Sequence, residues 1–216
     1  MNRAVTDKIP NAEAFLAYCE TETFRARTFI FRQDELSDKL YLILEGSVSV
    51  VVDGAEDPEH EMVVSYLNPG DFVGEMGLFG EERRTANLLA RTQCKLAKIS
   101  YRDFERIRDR FPNVIYAIAS QIGTRLRKTT EKLASLAFID VSGRIVQTLI
   151  ELTQQPDAMT HPDGMQIRIT RQELGRMVGC SREMAGRVLK TLEEDGLVSV
   201  SGKTIVVKRS TFPEAD

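Results

Sequence analysis

Residues 72–86 read FVGEMGLFGEERRTA. Gly74, Gly77 and Gly80 stand three apart, a glutamate follows the first, and the pair Arg83-Arg84 precedes Thr85. Glycines strip side chains from a backbone, so successive N–H groups can close on an anion. A guanidinium offers a planar fork of donors to phosphate oxygens. On these residues alone two readings stay open, a tight turn with a charged rim and a pocket for a phosphate. Catalysis on that phosphate is disfavoured. No P-loop lysine follows the glycines, no H-E-x-x-H occurs, and the two histidines, His60 and His161, both fall in loop-like segments. Cys19, Cys94 and Cys180 are far apart and odd in number, which predicts free thiols and no metal cluster or disulfide framework.

A second constellation lies at 170–200, TRQELGRMVGCSREMAGRVLKTLEEDGLVSV. Thr170 and Glu173 have the spacing of a capping box, so a helix starts there. Leu174, Met177 and Val178 give it an apolar face, and Gly179 suits a left-handed cap at its end. Ser181 caps a second helix with Met184, Val188, Leu189 and Leu192 inward. Two short helices across a Gly-Cys turn make a helix-turn-helix, and VSVSGKTIVV adds a hairpin wing around Ser201-Gly202. Arg182, Glu183 and Arg187 face outward where a recognition helix reads bases. Arginine bonds the O6 and N7 of guanine, and glutamate accepts from the cytosine amino group. Glu183 and Arg187 could instead form a surface i,i+4 ion pair. The cap, the turn, the wing and the local charge favour DNA reading. Arg171 and the Ser181 hydroxyl are expected on phosphates, which position without specifying.

The elements that must hold these residues are legible as changes of period. From about 24 to 100 the period is two: Leu40, Leu42 and Leu44 alternate with Tyr41, Ile43 and Glu45, GSVSVVVDG ends in an Asp53-Gly54 hairpin signal, and EMVVSYL and CKLAKIS are further short strands. Such spacing predicts a β-roll or jelly roll, flanked by short helices near Ala12–Cys19 and Tyr101–Arg110. After Phe111, with Pro112 in the first turn, Ile115, Ala119, Ile122, Leu126, Thr129, Leu133 and Leu136 step by four and three, a heptad seam. A parallel dimer coil is the expected use; a helix burying its stripe on its own roll is the alternative. Thr129 is polar within the seam, where it could fix register or meet a polar ligand. Ser142–Leu152 reads as another helix and QQPDAMTHPDGMQ as a loop. The expected class is α+β, with a roll over 1–111, a dimerisation helix over 112–138 and a winged helix-turn-helix over 139–216. The chain of 216 residues carries a net charge of −3, yet 166–209 hold nine basic residues against five acidic. An acidic body with a basic C-terminal segment suits a sensor joined to a DNA-facing part. No apolar run reaches membrane-span length and MNRAVTDKIPNAEAF lacks a signal-peptide core, so the expected location is cytoplasmic, with no membrane partner.

At this point the chain resembles the CRP/FNR family of bacterial transcription regulators, most of all its cyclic-AMP-responsive members. The likeness runs over nearly the whole chain and is densest in PDAMTHPDGMQIRITRQELGRMVGCSREMAGRVLKTLEEDGLV and RLRKTTEKLASLAFIDVSGRI. It implies a homodimer with a cyclic-nucleotide-binding β-roll, on which cyclic AMP shifts the DNA-binding state. It places the Gly74 backbone and Glu75 on the ribose side of the nucleotide, Arg84 on the cyclic phosphate, and Thr85 where the family usually has serine. Thr129 would bond the adenine in its own subunit and Thr130, usually serine, would reach it from the other. Arg182, Glu183 and Arg187 match the base-reading trio on a palindromic operator. The loop Ala158–Gly164, with Thr160 and His161, matches a surface that touches RNA polymerase.

Three positions depart from the pattern. The cassette between Glu75 and Arg84 is one residue shorter, which leaves Arg83 and Arg84 both open as the phosphate partner, with Arg84-Thr85-Ala86 favouring Arg84. A second polymerase-contact patch, basic in the cyclic-AMP branch, is here Glu20, Glu22 and Asp103. The Asp53–Glu61 loop is longer and acidic, and no role is carried onto it. Cyclic di-GMP is an alternative effector, but related regulators that use it tend to carry an acidic residue beside the cassette arginine, where this chain has Thr85. A dimer that needs no ligand is a further alternative. Oxygen or haem sensing would want an N-terminal cysteine cluster or a histidine in the roll.

Overall fold

The two-residue period of the first hundred residues builds two facing four-stranded sheets. The computed structural model describes residues 3–9, 12–53 and 61–212. One sheet has the order β1-β8-β3-β6, from β1 (Glu20–Phe24), β3 (Lys39–Glu45), β6 (Phe72–Val73) and β8 (Cys94–Ser100). The other has the order β2-β7-β4-β5, from β2 (Phe29–Phe31), β4 (Val48–Asp53), β5 (Glu61–Leu67) and β7 (Asn87–Ala90). Every pairing in both is antiparallel. The turn expected at Asp53-Gly54 and the loop to His60 lie outside the described residues.

The strand β3 is buried on both faces, which its Leu-x-Leu-x-Leu reading does not convey. Leu40 and Leu42 face one core and Tyr41 and Ile43 the other. A central strand covered by a second sheet on one side and by helices on the other reads as an apolar run rather than as a clean alternation. The helical side holds Phe15 of α2 (Ala12–Leu16) edge-on to Phe72, Phe104 and Phe111, with centroids 5.7–6.2 Å apart. Phe104 comes from α3 (Tyr101–Ile107), whose first turn is capped by Ser100 and which runs on into a 3-10 turn at Arg108–Arg110. A further short helix, α1 (Arg3–Lys8), precedes α2 and has no counterpart in the sequence reading.

The long helix α4 (Pro112–Phe138) begins at the expected proline. Val114, Ala117 and Ile118 are buried in the roll's helical core and Ile122 packs at its margin. Ile115, Leu126, Leu133 and Leu136 are exposed on this chain, Leu126 and Leu133 by two-thirds. The helix therefore has two apolar faces, one used by the roll and one open. The chain divides into two compact units within this helix, at Thr129/Thr130.

In the second unit α5 (Val141–Thr153) is capped by Asp140, whose carboxylate accepts from Gly143 N. Its buried Ile145 and Leu149 belong to the same unit as α6 (Arg171–Val178) and α7 (Arg182–Glu194). A four-stranded sheet of order β11-β12-β10-β9 completes it, from β9 (Met159–His161), β10 (Gly164–Arg168), β11 (Val198–Ser201) and β12 (Thr204–Lys208). The stretch read as a loop is thus in part a hairpin, with Met165 opposite Thr160 and Gly164 opposite His161. Three residues are too few to show a period, so β9 is visible only through its partner. Among the described residues no helix is long and apolar enough to cross a membrane.

Candidate functional site

The glycine-rich stretch is built around two side chains it makes room for. β6 ends at Val73, Gly74 follows with a left-handed φ of 77°, and Glu75–Phe79 then form a 3-10 turn. A Cβ at Gly74 would lie 2.4 Å from Arg84 Nη1 and 2.8 Å from the Lys39 carbonyl oxygen. A Cβ at Gly77 would lie 2.4 Å from the Tyr101 ring. The spacing of three thus reflects an arginine under one glycine and a tyrosine under the next.

Backbone pairing settles which arginine points inward. Arg84 N donates to Glu35 O (2.8 Å), Asp34 N donates to Arg84 O (2.9 Å), and Leu36 and Arg83 form a bridge. In extended chain neighbouring side chains take opposite sides. Arg84 is 4% exposed, whereas Arg83 turns outward and donates to Asp34 O (2.6 Å). Thr85, next in the alternation, is exposed.

Arg84 lies over the Phe31 ring at 4.3 Å, with Tyr41 at 5.7 Å. Nη1 donates to Tyr101 Oη and Nη2 to Lys39 O, each at 3.0 Å. The carboxylate that faces it, Asp38, stands 3.8 Å away and is mostly exposed. Arg84 Nε is buried without a hydrogen-bond partner. Burial pushes the Tyr41 hydroxyl pKa up, while the nearby Arg84 charge pulls it down. A buried cation with weak compensation and an unused donor is costly, and an anion with two oxygens would relieve both deficits.

Glu75 is buried, and its Oε1 accepts from Arg125 Nη1 at 2.7 Å. Arg125 Nη2 also donates to Phe72 O. One turn earlier on α4, Gln121 Oε1 accepts from Phe72 N (2.8 Å) and Nε2 donates to Gly70 O (2.9 Å). The approach to the cassette is thus stitched to the helix by Gln121 and Arg125. Sequence reasoning missed both, together with Tyr101. The outward sign of Gln121 and Arg125 is a polar pair four apart on the roll-facing side of α4, beside Ile118. Thr129 and Thr130 are exposed on the same helix, beyond this joint.

In the second unit both helix caps are present. Thr170 Oγ1 accepts from Glu173 N (3.1 Å) while Glu173 Oε2 accepts from Thr170 N (2.9 Å). Ser181 Oγ accepts from Met184 N (3.1 Å). Arg144, unmarked in the sequence reading, donates to the carbonyl oxygens of Val178 (3.1 Å) and Ile139 (2.7 Å) and so caps α6. Leu189 and Leu192 are buried as expected. Ala185 shares their face, whereas Met184 and Val188 are half-buried. Arg182, Glu183, Arg187 and Arg171 are all exposed. Lys190 pairs with Glu194 (3.7 Å) toward the far end of this helix. In the β9–β10 hairpin Ala158 and His161 are half-buried, Thr160 is exposed and Gly164 buried, and His161 Nδ1 accepts from Asp163 N (3.2 Å). Glu20 and Glu22 are both bridged by Lys98, at 3.6 and 2.9 Å, and Asp103 pairs with Arg106.

Residues 21–111 match the cyclic nucleotide-binding domain and residues 143–211 the Crp-like helix-turn-helix domain. The chain is 49% identical over 206 residues to the cAMP-activated global transcriptional regulator Vfr of Pseudomonas aeruginosa, covering 94% of this chain and 95% of Vfr. It is 50% identical over 199 residues to the cAMP-activated global transcriptional regulator CRP of Salmonella typhimurium, covering 92% and 94%. A solved structure of the c-di-GMP responsive global regulator CLP of Xanthomonas campestris is 46% identical, with a TM-score of 0.85, covering 91% of this chain and 97% of CLP.

Proposed function

The chain belongs to the CRP/FNR family of DNA-binding transcription regulators and is not an enzyme, and on that premise we propose that cyclic AMP controls its hold on DNA. The observation that carries this reading is Arg84, buried over Phe31 with Nε unpartnered. Its guanidinium takes the cyclic phosphate, the Gly74 backbone and Glu75 take the ribose side, and Thr85 stands beside the phosphate. Thr129 meets the adenine from its own subunit and Thr130 from the second subunit of a homodimer. Residues 1–111 then form the sensor, 112–138 the dimerisation helix and 139–216 the DNA-binding part. Arg182, Glu183 and Arg187 read bases of a palindromic operator, with Arg171 and Ser181 on phosphates. Residues 158–164, with Ala158, Thr160, His161 and Gly164, form a surface for RNA polymerase. The protein works in the cytoplasm.

Calorimetric titration with cyclic AMP tests the pocket. Wild type binds and Arg84→Leu does not; equal affinity in the two removes the assignment. Cyclic di-GMP is the second reading, favoured by the likeness to the c-di-GMP responsive CLP and opposed by Thr85, which is not acidic. A gel shift on a palindromic site with each nucleotide in turn separates the two.

A further inference from the structure

We propose that Tyr101 is a positioning residue that sets the effector's phosphate selectivity, by fixing which edge of Arg84 is available. The proposal deepens the cyclic-nucleotide reading and rests on it. Tyr101 Oη touches three groups: Gly74 O, Arg84 Nη1 at 3.0 Å and Ser37 Oγ at 2.7 Å. Hydrogen accounting gives each bond its direction. A phenol has one hydrogen to donate and oxygen lone pairs to accept with. A carbonyl only accepts, so that hydrogen goes to Gly74 O. A guanidinium only donates, so Tyr101 accepts from Arg84. Ser37 then donates its own hydroxyl hydrogen to Tyr101. The tyrosine is thereby saturated, and its ring is held against Gly77, where a Cβ would leave it no room.

The consequence falls on Arg84. One Nη1 hydrogen goes to Tyr101 and one Nη2 hydrogen to Lys39 O, and the buried atom with no partner is Nε, on the Nε–Nη2 edge. One such edge matches two oxygens and one negative charge, the complement of a cyclic phosphodiester. The other groups around the guanidinium are acceptors: Tyr101 Oη, Lys39 O and the Asp38 carboxylate, whose nearer cation, the Lys39 ammonium, lies 3.1 Å away and is exposed. A 5′-monophosphate would bring a third terminal oxygen and a second charge toward the Tyr101, Lys39 and Asp38 oxygens, which disfavour it. Tyr101 therefore weighs against it by holding one Nη1 hydrogen and setting an oxygen beside that end of the guanidinium.

The test is calorimetric titration of the full chain with cyclic AMP and with 5′-AMP, for wild type, Tyr101→Phe and Ser37→Ala, with thermal unfolding as the check on folding. Tyr101→Phe releases Nη1 and lets the arginine swing. Cyclic AMP should bind about tenfold more weakly, the scale of one hydrogen bond to a charged group, and the cyclic AMP to 5′-AMP affinity ratio should shrink. Ser37→Ala, which keeps the ring in place, should shift the ratio in the same direction by less, and it carries the test if Tyr101→Phe does not fold. A tyrosine that only supports the fold would weaken both nucleotides together. An unchanged ratio in a folded Tyr101→Phe, or in Ser37→Ala where that variant carries the test, overturns the proposal while wild-type binding stands. A wild type that takes up no cyclic AMP fells the pocket reading itself, and this proposal with it.

Discussion

Arg84 and Cys19 show how burial sets what a single side chain contributes. Replacing a buried, imperfectly paired charge by an apolar group of similar size is often neutral or better for stability. Arg84→Met should therefore leave the unliganded protein within about 1 kcal/mol of wild type, since the lost bonds to Lys39 O and Tyr101 Oη are offset by relief of desolvation. The same variant should lose the stabilisation by cyclic AMP, about 2.7 kcal/mol at a hundredfold excess over Kd. Thermal unfolding with and without nucleotide reads both effects, and a variant still stabilised by cyclic AMP would contradict the role given to Arg84. Cys19 donates to Phe15 O, and burial pushes its pKa up to about 12. In the unfolded chain a thiol titrates near about 8.5. Between those values the unfolded chain has released a proton that the folded chain keeps, so it binds fewer protons and stability falls as pH rises through the window. Burial raises Cys94 in the same sense. Urea unfolding at pH 7.5 and 9.5 should show wild type losing stability, and Cys19→Ala should lose less.

At the scale of elements, α4 serves the roll with one face, and the serving residues are as much polar as apolar. Gln121 satisfies Phe72 N and Gly70 O at once. Gln121→Leu would leave both backbone groups without that partner, at a cost of about 2 kcal/mol, read as a lower urea midpoint. Its effect should reach Glu75, held from the same helix by Arg125. Loss of nucleotide affinity larger than the loss of stability would mark the helix as part of the site. The elements that were legible in the sequence are those whose signals are local. The capping box at Thr170, the Ser181 cap and the wing turn at Gly202 each lie within a few residues of what they control. The seam on α4 was legible for the same reason, although Ile122 turned partly to the roll. What stayed hidden joins distant positions. Tyr101 meets Gly74 across 27 residues and Arg125 meets Glu75 across 50. β9 needs β10 before it is a strand, and the two buried faces of β3 need a second sheet and a helical layer. Which of Arg83 and Arg84 turns inward depends on pairing with 34–36, which no local pattern announces.

For the whole molecule, the open face of α4 is the unfinished part of the structure. Ile115, Leu126, Leu133 and Leu136 continue one stripe along a helix of 27 residues, roughly 40 Å at 1.5 Å per residue. Such a stripe left in water is unfavourable, and in the homodimer proposed above a second copy of the helix would cover it in register. Thr129 sits within the stripe, so on the proposed reading, in which it meets the adenine, what packs there would also decide what the effector can touch. Asp at both Leu126 and Leu133 would set like charges opposite each other at two layers and remove the apolar contact. Sedimentation should then give a monomer where wild type gives a dimer. The roll should keep its fold, because neither leucine belongs to its core. DNA binding should suffer more than either unit does. A palindromic operator asks for two recognition helices at a fixed spacing, and the basic segment 166–209, with nine cationic residues against five acidic, gives one subunit alone mostly phosphate attraction. The double variant should thus retain weak, steeply salt-dependent binding with little preference for the operator, and cyclic AMP should no longer raise it. Wild type should combine a similar salt dependence with a nucleotide-dependent preference for the operator. A monomeric variant that still answers to cyclic AMP on that site would show that the effector acts within one subunit, and the role given to the seam would fall.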